Sequence, residues 1–260
     1  MDERKKSFNK GAEVYDRTRP SYSDFVINWI LDRAEVSLND TLLEIGPGTG
    51  QATIPFARKG HKVHCVELGD ELANILREKC SDYSVEVDVS PFEEWIPKKG
   101  FRTPLIYSAT AFHWIDKNIK YKKCFDLLSK DGNLVLMWNN PIDPCIKEIE
   151  ESYEVLFSYH PDKNFQNQNF EELKVQRQSE IDSSGFFRTV DFLDYRWNQI
   201  ESRTIFLDSF FSQSSFLSLS SQNQKKVKEK VTDLYIHLDR EITTEFSTTV
   251  YFCEAIREMK

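Results

Sequence analysis

Three glycines alternate with other residues in the segment Gly46-Pro47-Gly48-Thr49-Gly50, which follows an apolar run and precedes a helical pattern. Glycine lets the chain turn sharply and lets a ligand approach bare backbone, and amide N–H groups at the start of a helix favour anionic groups. A simple strand-to-helix turn is the alternative. Three alternate glycines between a strand and a helix nevertheless favour a binding loop.

A carboxylate follows at the predicted end of the next strand, where Glu67 stands 21 residues after Gly46. A carboxylate at this point of a nucleotide-binding sheet accepts hydrogen bonds from the ribose hydroxyls. Alone, Glu67 could equally be an acidic partner for the N-terminus of the following helix. Together with the glycine loop it favours a nucleotide cofactor, without distinguishing one class of nucleotide cofactor from another.

His113 follows the predicted fourth strand, next to Trp114. In an open α/β sheet the carboxyl ends of the strands face the ligand crevice. An imidazole titrates near neutrality, so His113 is a candidate general base. A structural role, with the ring hydrogen-bonded beside Trp114, is the alternative.

The first 140 residues must position these groups, and they alternate short apolar runs with helical patterns. Such alternation is typical of βαβ units and a mostly parallel sheet. The predicted strands cover residues 41–45, 62–67, 84–88, 104–108 and 133–138. The predicted helices cover residues 23–34, 51–59, 70–80 and 117–129. We therefore predict an α/β fold in which a helix follows each strand.

The character of the sequence changes after Pro141, where residues 143–159 and 170–184 predict amphipathic helices. Residues 190–197 predict a strand that returns to the sheet, and residues 202–211 and 222–242 predict further helices. Residues 248–256 are rich in β-branched and aromatic side chains and predict a final strand. The predicted domains are an N-terminal segment that closes the cofactor site (1–36), a cofactor-binding core (37–140), a helical substrate cover with one returning strand (141–220), and a helix and strand that complete the core (221–260).

The charge of the chain bears on its partners, because 34 basic and 42 acidic residues give a net charge of −8 over 260 residues. A protein that tracks a phosphate backbone needs clustered Lys and Arg, so we expect no nucleic-acid partner. The N-terminus has no apolar stretch like a secretory signal, and no run approaches the ~18 apolar residues of a membrane span. We therefore expect a cytoplasmic protein with no membrane partner.

The five cysteines are an odd number with wide spacings and no C-x-x-C. Such spacing favours neither a disulfide framework nor a zinc site. We expect reduced, mostly buried thiols and no metal.

The spacing of the glycines separates two cofactor classes. A dinucleotide fold asks for G-x-G-x-x-G, whereas here the third glycine, Gly50, comes one place early and Gln51 occupies the dinucleotide position. With the preceding Glu44, the G-x-G-x-G pattern resembles the first motif of the class I S-adenosylmethionine-dependent methyltransferases. The resemblance implies a Rossmann-like, doubly wound, seven-stranded sheet, mostly parallel with the last strand antiparallel.

A narrower resemblance comes from the upstream pattern Phe8-x-x-x-Ala12-x-x-Tyr15-Asp16-x-x-Arg19-Pro20-x-Tyr22 and from the pair His113-Trp114. Both are similar to a small-molecule subgroup related to trans-aconitate methyltransferase. In such enzymes the N-terminal segment folds over the cofactor, which implies that Tyr15 and Arg19 close the site. The alternative is that these two residues only attach the N-terminal helix to the core.

The family resemblance implies a set of cofactor contacts beyond the glycines. The loop would wrap the methionine end of the cofactor, Glu67 would accept from the ribose, and Asp88 would accept from the adenine amino group. Capping of the following turn is the alternative for Asp88. The residues expected to bind S-adenosylmethionine are Tyr15, Arg19, Glu44, Gly46, Pro47, Gly48, Gly50, Glu67, Leu68, Asp88, Val89 and Ala109.

Methyl transfer from a sulfonium needs mainly orientation and exclusion of water. If the acceptor is a hydroxyl or an amine, His113 is the candidate to take its proton; if it is a carboxylate, His113 only binds or shapes. Residues 141–220 carry 7 basic and 14 acidic side chains, which weighs against a tricarboxylate acceptor. The many aromatic residues make an apolar or aromatic acceptor plausible.

The sequence thus predicts a methyltransferase that acts on a small molecule and releases S-adenosylhomocysteine. A nicotinamide-dependent oxidoreductase is the first alternative, since it would use the same glycines and Glu67. A non-catalytic module that binds the cofactor or its product is the second. Neither the methyl acceptor nor the oligomeric state is indicated by the sequence.

Overall fold

The computed structural model describes residues 11–143, 146–160, 170–238 and 241–257. The strands are β1 (Thr41–Ile45), β2 (Lys62–Glu67), β3 (Val85–Val89), β4 (Thr103–Ala109), β5 (Leu128–Asp143), β6 (Phe187–Glu201) and β7 (Ile242–Ala255). The helices are α1 (Ala12–Thr18), α2 (Asp24–Ala34), α3 (Thr53–Arg58), α4 (Asp70–Lys79), α5 (Lys120–Leu127), α6 (Lys147–Ser158), α7 (Phe170–Ser183), α8 (Arg203–Phe211), α9 (Ser214–Leu217) and α10 (Ser221–Leu234). A short 3-10 helix, Phe112–Trp114, follows β4.

The seven strands form one sheet in the order β3-β2-β1-β4-β5-β7-β6. Six strands are parallel and the last, β7, is antiparallel, so the predicted seven-stranded Rossmann-like sheet is confirmed. The register pairs Ile45 with Val66, and Glu67 with Val89. The carboxyl ends of β1, β2 and β3 therefore meet at one edge of the sheet, where the chain leaves each strand.

The described part of the chain divides into two compact units. Of the described residues, the core unit comprises 21–139, 174–195 and 248–257, and the helical unit comprises 11–20, 140–143, 146–160, 170–173, 196–238 and 241–247. The four predicted domains have other boundaries, and their assigned roles remain predictions.

The core unit buries apolar side chains on both faces of its sheet. Successive residues of a strand point to opposite faces, and in β1 Leu43 and Ile45 belong to one apolar cluster while Leu42 belongs to another. Phe92 and Trp95 also pack in the first cluster, and Phe56 and Leu76 pack in the second. Burial on both faces explains the three apolar residues of β1, whereas Glu44 is buried there as a hydrogen-bonded carboxyl.

The helical unit has an apolar cluster of its own. Phe206 and Phe210 lie one turn apart on α8, and Val227 and Val231 lie one turn apart on α10. This four-residue spacing places each pair on one helix face, and all four side chains are buried in the cluster.

The C-terminal region differs from its prediction. The helix predicted over residues 222–242 ends at Leu234, and β7 begins at Ile242 rather than at residue 248. The apolar positions continue through Tyr235 to Leu238 although the helix itself ends at Leu234, and the β-branched run that starts at Ile242 pairs in the sheet. Strands β5 and β6 are likewise longer than predicted.

Four of the cysteines, Cys65, Cys80, Cys124 and Cys253, are buried thiols that form no disulfide. Cys145 and Phe8 lie outside the described residues. Over the described ranges, the structure has no helix of the length and apolarity needed to cross a membrane. The same ranges hold no cluster of three or more His, Cys, Asp or Glu side chains suited to a metal ion.

Candidate functional site

The glycine loop leaves β1 through three residues in the left-handed region, with φ of 66° at Gly46, 60° at Gly48 and 99° at Gly50. A Cβ atom on Gly46 would lie 2.5 Å from the Cβ of Ala111, in the segment that follows β4. At Gly50 it would lie 2.8 Å from Leu76. Glycine is therefore required at these positions both by the backbone angles and by the close approach of neighbours.

Glu67 ends β2, and its two carboxylate oxygens bind backbone N–H groups of two different segments. Oε2 accepts a hydrogen bond from the N–H of Gly48 at 2.9 Å, and Oε1 accepts one from the N–H of Gly69 at 2.9 Å. The residue is only 6 % exposed, and burial raises the pKa of its carboxyl although these bonds oppose the rise. The carboxylate thus joins the loop after β1 to the start of α4. The bond to Gly69 matches the helix-terminus alternative that the sequence offered for Glu67, whereas no sequence pattern indicated the bond to Gly48. Leu68 lies between, partly exposed.

Glu44 lies fully buried in β1, where its Oε2 accepts hydrogen bonds from Thr53 at 2.6 Å and from the Tyr107 hydroxyl at 2.9 Å. Its Oε1 finds no hydrogen-bond partner among the residues that the structure describes. Burial raises the pKa of this carboxyl to about 7, and the nearby Glu67 adds to the rise. Because Thr53 is the first residue of α3, Glu44 fixes the helix that the glycine loop enters.

Asp88 lies on β3, and its Oδ2 accepts hydrogen bonds from His64 Nε2 at 2.8 Å and from Trp95 Nε1 at 2.7 Å. Burial opposes ionisation, but these two bonds lower the pKa of the carboxyl. His64 reaches Asp88 because its strand neighbour is Glu86, which lies on the same face of β3. The next residue, Val89, is 44 % exposed, which is unusual for an apolar side chain at a strand end.

A lysine holds the turn that follows β3. The ammonium group of Lys123, on α5, donates to the carbonyl oxygens of Phe92, Glu93 and Trp95 at 2.6, 3.2 and 2.5 Å. Since Trp95 in turn binds Asp88, Lys123 supports the position of that carboxylate indirectly.

The segment after β4 contains a strained residue that the sequence did not reveal. Thr110, which follows Ala109, has a φ of 55°. A β-branched residue rarely adopts this conformation and does so mainly where the surroundings enforce it. The Thr110 N–H donates to the carbonyl of Met137 at 2.8 Å, and its Oγ1 lies 2.8 Å from the Tyr22 hydroxyl. Tyr22 also donates its N–H to the carbonyl of Gln51, so it connects the strained residue to the end of the glycine loop.

His113 lies in the 3-10 helix, and its Nδ1 accepts a hydrogen bond from Trp138 Nε1 at 3.3 Å. Desolvation of the ring by the surrounding protein lowers the pKa of His113 to about 4, and the positive charges of Arg177 and Lys120 contribute to this shift. The ring is therefore neutral at pH 7, and since an indole only donates, the proton lies on Nε2. In this arrangement the ring presents an Nε2–H donor, and the role of His113 as a general base remains a prediction.

Charged side chains far away in the sequence surround His113. The buried Lys120 ammonium pairs with the half-exposed Glu180 at 2.7 Å, and Tyr121 donates to the same carboxylate at 2.9 Å. Arg177, on α7, lies 4.2 Å above the ring of Trp138. No pattern in the sequence connects these residues, because β5 and α7 bring them together only in the fold.

Tyr15 and Arg19 belong to the helical unit. The Arg19 guanidinium lies 5.1 Å from the centre of the Tyr15 ring and donates to the carbonyl of Ser212 at 3.1 Å. The neighbouring Arg17 pairs with Asp208 at 2.6 Å. These bonds attach α1 to α8 and the turn after it, and the predicted role of Tyr15 and Arg19 at the cofactor remains a prediction.

Comparison with known proteins gives one matching family model, ribosomal RNA adenine dimethylase, over residues 22–90. An uncharacterised methyltransferase-like protein of Schizosaccharomyces pombe is 27% identical over 159 residues, which are 60% of this chain and 60% of that protein. The chain thus matches about three fifths of the length of this relative.

Two solved structures share the fold. A protein of Anaeromyxobacter dehalogenans assigned as a type II methyltransferase is 17% identical, with a TM-score of 0.61 over 90% of this chain and 97% of that one. An S-adenosylmethionine-dependent methyltransferase of Thiobacillus denitrificans, solved with S-adenosylhomocysteine, is 10% identical, with a TM-score of 0.54 over 92% and 94% of the two chains. These two structures show that the chain shares their fold, and its sequence is similar to that of proteins named as methyltransferases.

Proposed function

We propose that this chain binds S-adenosylmethionine at the carboxyl edge of its sheet and transfers the methyl group to a small-molecule acceptor, releasing S-adenosylhomocysteine. The observation that carries the proposal is the contact of the Glu67 carboxylate with the N–H groups of Gly48 and Gly69. One acidic side chain thereby adjoins both the bare backbone after β1 and the start of α4. This is the arrangement that a nucleoside with a zwitterionic tail requires.

The chemical groups of this cofactor match the described residues. The backbone from Gly46 to Gly50 offers amide groups to the methionine carboxylate. Each Glu67 oxygen has a second lone pair for a ribose hydroxyl after its bond to the loop. Asp88 offers a carboxylate that is half exposed, and Val89 an exposed apolar side chain, to the adenine. The residues proposed to bind or support the cofactor are Tyr15, Arg19, Glu44, Gly46, Pro47, Gly48, Gly50, Glu67, Leu68, Asp88, Val89 and Ala109.

The bound cofactor would supply an already activated methyl carbon, so the chain has to orient the acceptor and exclude water. We propose His113 as the residue that contacts the acceptor. Its Nδ1 is occupied by Trp138, and its neutral ring carries a proton on Nε2. His113 therefore orients an acceptor oxygen or nitrogen by donating a hydrogen bond. A closer relation to trans-aconitate methyltransferase remains part of this proposal.

Methylation of RNA is the second candidate function, because the matching family model describes a ribosomal RNA adenine dimethylase. The match covers residues 22–90, which include β1, β2, β3 and the glycine loop, and ends before His113. It thus concerns the region proposed for the cofactor rather than the one proposed for the acceptor. The net charge of −8 favours the small molecule, since binding of a phosphate backbone needs clustered cations.

The proposal is tested by calorimetric titration of S-adenosylhomocysteine into the wild-type chain and into a Glu67→Ala variant. We expect measurable binding to the wild type and a loss of about 1–3 kcal/mol in the variant, because a buried acceptor of ribose hydroxyls is removed. Glu78→Ala is the matched control, since Glu78 is an exposed carboxylate on α4. Its affinity should equal that of the wild type.

The opposite results separate the alternatives. Heat on titration of NAD, with none from S-adenosylhomocysteine, would support the oxidoreductase. Binding of S-adenosylhomocysteine without transfer of labelled methyl groups to any acceptor class would support a non-catalytic module. Incorporation of label into RNA, with none into small molecules, would favour the second candidate function.

A further inference from the structure

We propose that Arg177 and His113 bind a carboxylate group of the methyl acceptor, which is a small acid with one negative charge and an aromatic body. That the bound acid is the methyl acceptor rests on the proposed function, whereas the binding site itself does not. We name the site the arginine subsite, and it consists of Tyr22, His113, Trp138, Arg177 and Tyr251.

Four members of the arginine subsite are joined by direct contacts, and the fifth, Tyr22, acts electrostatically on Arg177. The guanidinium of Arg177 lies 4.2 Å from the centre of the Trp138 ring, and Arg177 is hydrogen-bonded to Tyr251. Trp138 meets the ring of Tyr251 edge-on at 5.8 Å and donates to His113 at 3.3 Å. All these residues belong to the core unit. The subsite is thus a connected cluster that fixes the plane of the guanidinium.

Exposure distinguishes the base of the subsite from its polar groups. Tyr22, Trp138 and Tyr251 are buried, whereas Arg177 is partly exposed and His113 is more than a third exposed. Within Arg177 the Nη1 atom is itself buried, so a ligand would meet the guanidinium through its other N–H groups and His113 through its ring, with the aromatic rings as the apolar base. The rings provide the kind of surface on which an aromatic body packs.

The charged side chains in and around the arginine subsite favour an anionic ligand. Glu180 is paired with Lys120 at 2.7 Å, and Asp194 is paired with Lys174 at 2.7 Å. Arg177 adds a third cation to these two pairs and stays charged at every accessible pH. The tyrosines and the tryptophan that contact it are neutral. Of these five charged groups the balance is thus positive by one, which matches one carboxylate rather than a polyanion.

The donors of the subsite suit a carboxylate in particular. A guanidinium is a planar fork whose two parallel N–H groups match the two oxygens of a carboxylate. His113 adds an Nε2–H donor, because its Nδ1 accepts from Trp138. The positive charge nearby also keeps the ring neutral, so this donor persists at pH 7.

The test uses benzoate as the probe and benzamide, which has the same shape without the charge, as its control. Saturation-transfer NMR measures their affinities for the wild type, with and without S-adenosylhomocysteine. We expect benzoate to bind more tightly than benzamide. Arg177→Met should weaken benzoate roughly tenfold or more, because a charge-assisted bond is lost. Arg188→Met removes a surface arginine of the same unit and should change nothing.

Equal affinities for benzoate and benzamide, or benzoate affinity unchanged by Arg177→Met, would overturn the inference. Arg177→Lys preserves the charge but not the fork, and is used if the methionine variant does not fold; it should show an intermediate loss. Failure of the proposed function is recognised separately. In that case S-adenosylhomocysteine gives no heat, while benzoate still binds in an Arg177-dependent way.

Discussion

The glycine loop and the arginine subsite lie in the same unit but are assembled from different materials. The glycine loop and the carboxylate of Glu67 that binds it lie between Gly46 and Gly69. They consist of backbone N–H groups, residues with left-handed φ angles and one acidic side chain. The arginine subsite draws side chains from Tyr22 to Tyr251, brought together by β5, α7 and β7. A site made of backbone leaves a mark in the local sequence, whereas one made of distant side chains does not.

The largest effect is expected for Gly46→Ala, which tests whether the glycine loop depends on its bare backbone. The new Cβ atom meets Ala111 at 2.5 Å in a residue whose φ is 66°. We expect a loss of about 2–5 kcal/mol in the free energy of unfolding, which combines left-handed strain with overpacking. Urea unfolding measures the loss, and calorimetry should show weaker binding of S-adenosylhomocysteine.

Two further variants separate the causes of that loss. Gly100→Ala has a similar left-handed φ of 82° but open space around it, so it should show strain alone. The double variant Gly46→Ala with Ala111→Gly removes the clash and should recover the difference. Equal losses for the single Gly46 and Gly100 variants would show that close approach to Ala111 is unimportant.

Glu44→Gln tests the buried carboxylate beneath the same loop. Burial raises the pKa of Glu44 from 4.5 to about 7, so the folded chain binds more protons than the unfolded chain between those values. Its contribution therefore lowers the stability as the pH rises from 4.5 to 7, by about 3 kcal/mol in total.

The glutamine variant should lack this part of the pH dependence. Urea unfolding at several pH values from 4.5 to 8 measures the difference between variant and wild type. Glu78→Gln, on the exposed side of α4, serves as the control and should follow the wild type. Parallel pH profiles for Glu44→Gln and wild type would contradict the raised pKa.

The smallest expected effect belongs to the arginine subsite. In Trp138→Phe, His113 loses the N–H donor that stabilises its neutral form, so its pKa of about 4 should rise by roughly half a pH unit. An NMR titration of the His113 ring, assigned with a His113→Gln variant, measures the change. A wild-type ring that titrates near its usual value of about 6.5 would contradict the neutral donor.

The difference between the two sites also explains how much the sequence could predict. The strands 41–45 and 62–67 were predicted at their observed bounds, because strong apolar runs are bounded by turn residues. The glycine loop followed from spacing alone. By contrast, the partners of His113 and the strain at Thr110 depend on contacts across the sheet, which no local pattern records.

Some predictions failed for a reason within reach of the sequence. The apolar stripe through Val227 and Val231 predicts a helix, and the same spacing of apolar residues beyond Leu234 predicts that this helix continues to Ile242. The run from Ile242 is β-branched, and pairing in the sheet prevailed over periodicity there. The hydrogen bonds of Asp88 could not be predicted from the sequence. His64 reaches it through the register of β2 and β3, and Trp95 reaches it from the turn after β3.

The hydrogen bond between Tyr22 and Thr110 has a consequence for fragments of this chain. A left-handed threonine costs about 1–3 kcal/mol and persists only while its surroundings enforce it. Part of that enforcement comes from a tyrosine 88 positions earlier, ahead of the first strand. A fragment that began at β1 would keep every residue of the glycine loop but would lose the Tyr22 hydrogen bond, so Thr110, just after β4, should relax towards an ordinary φ.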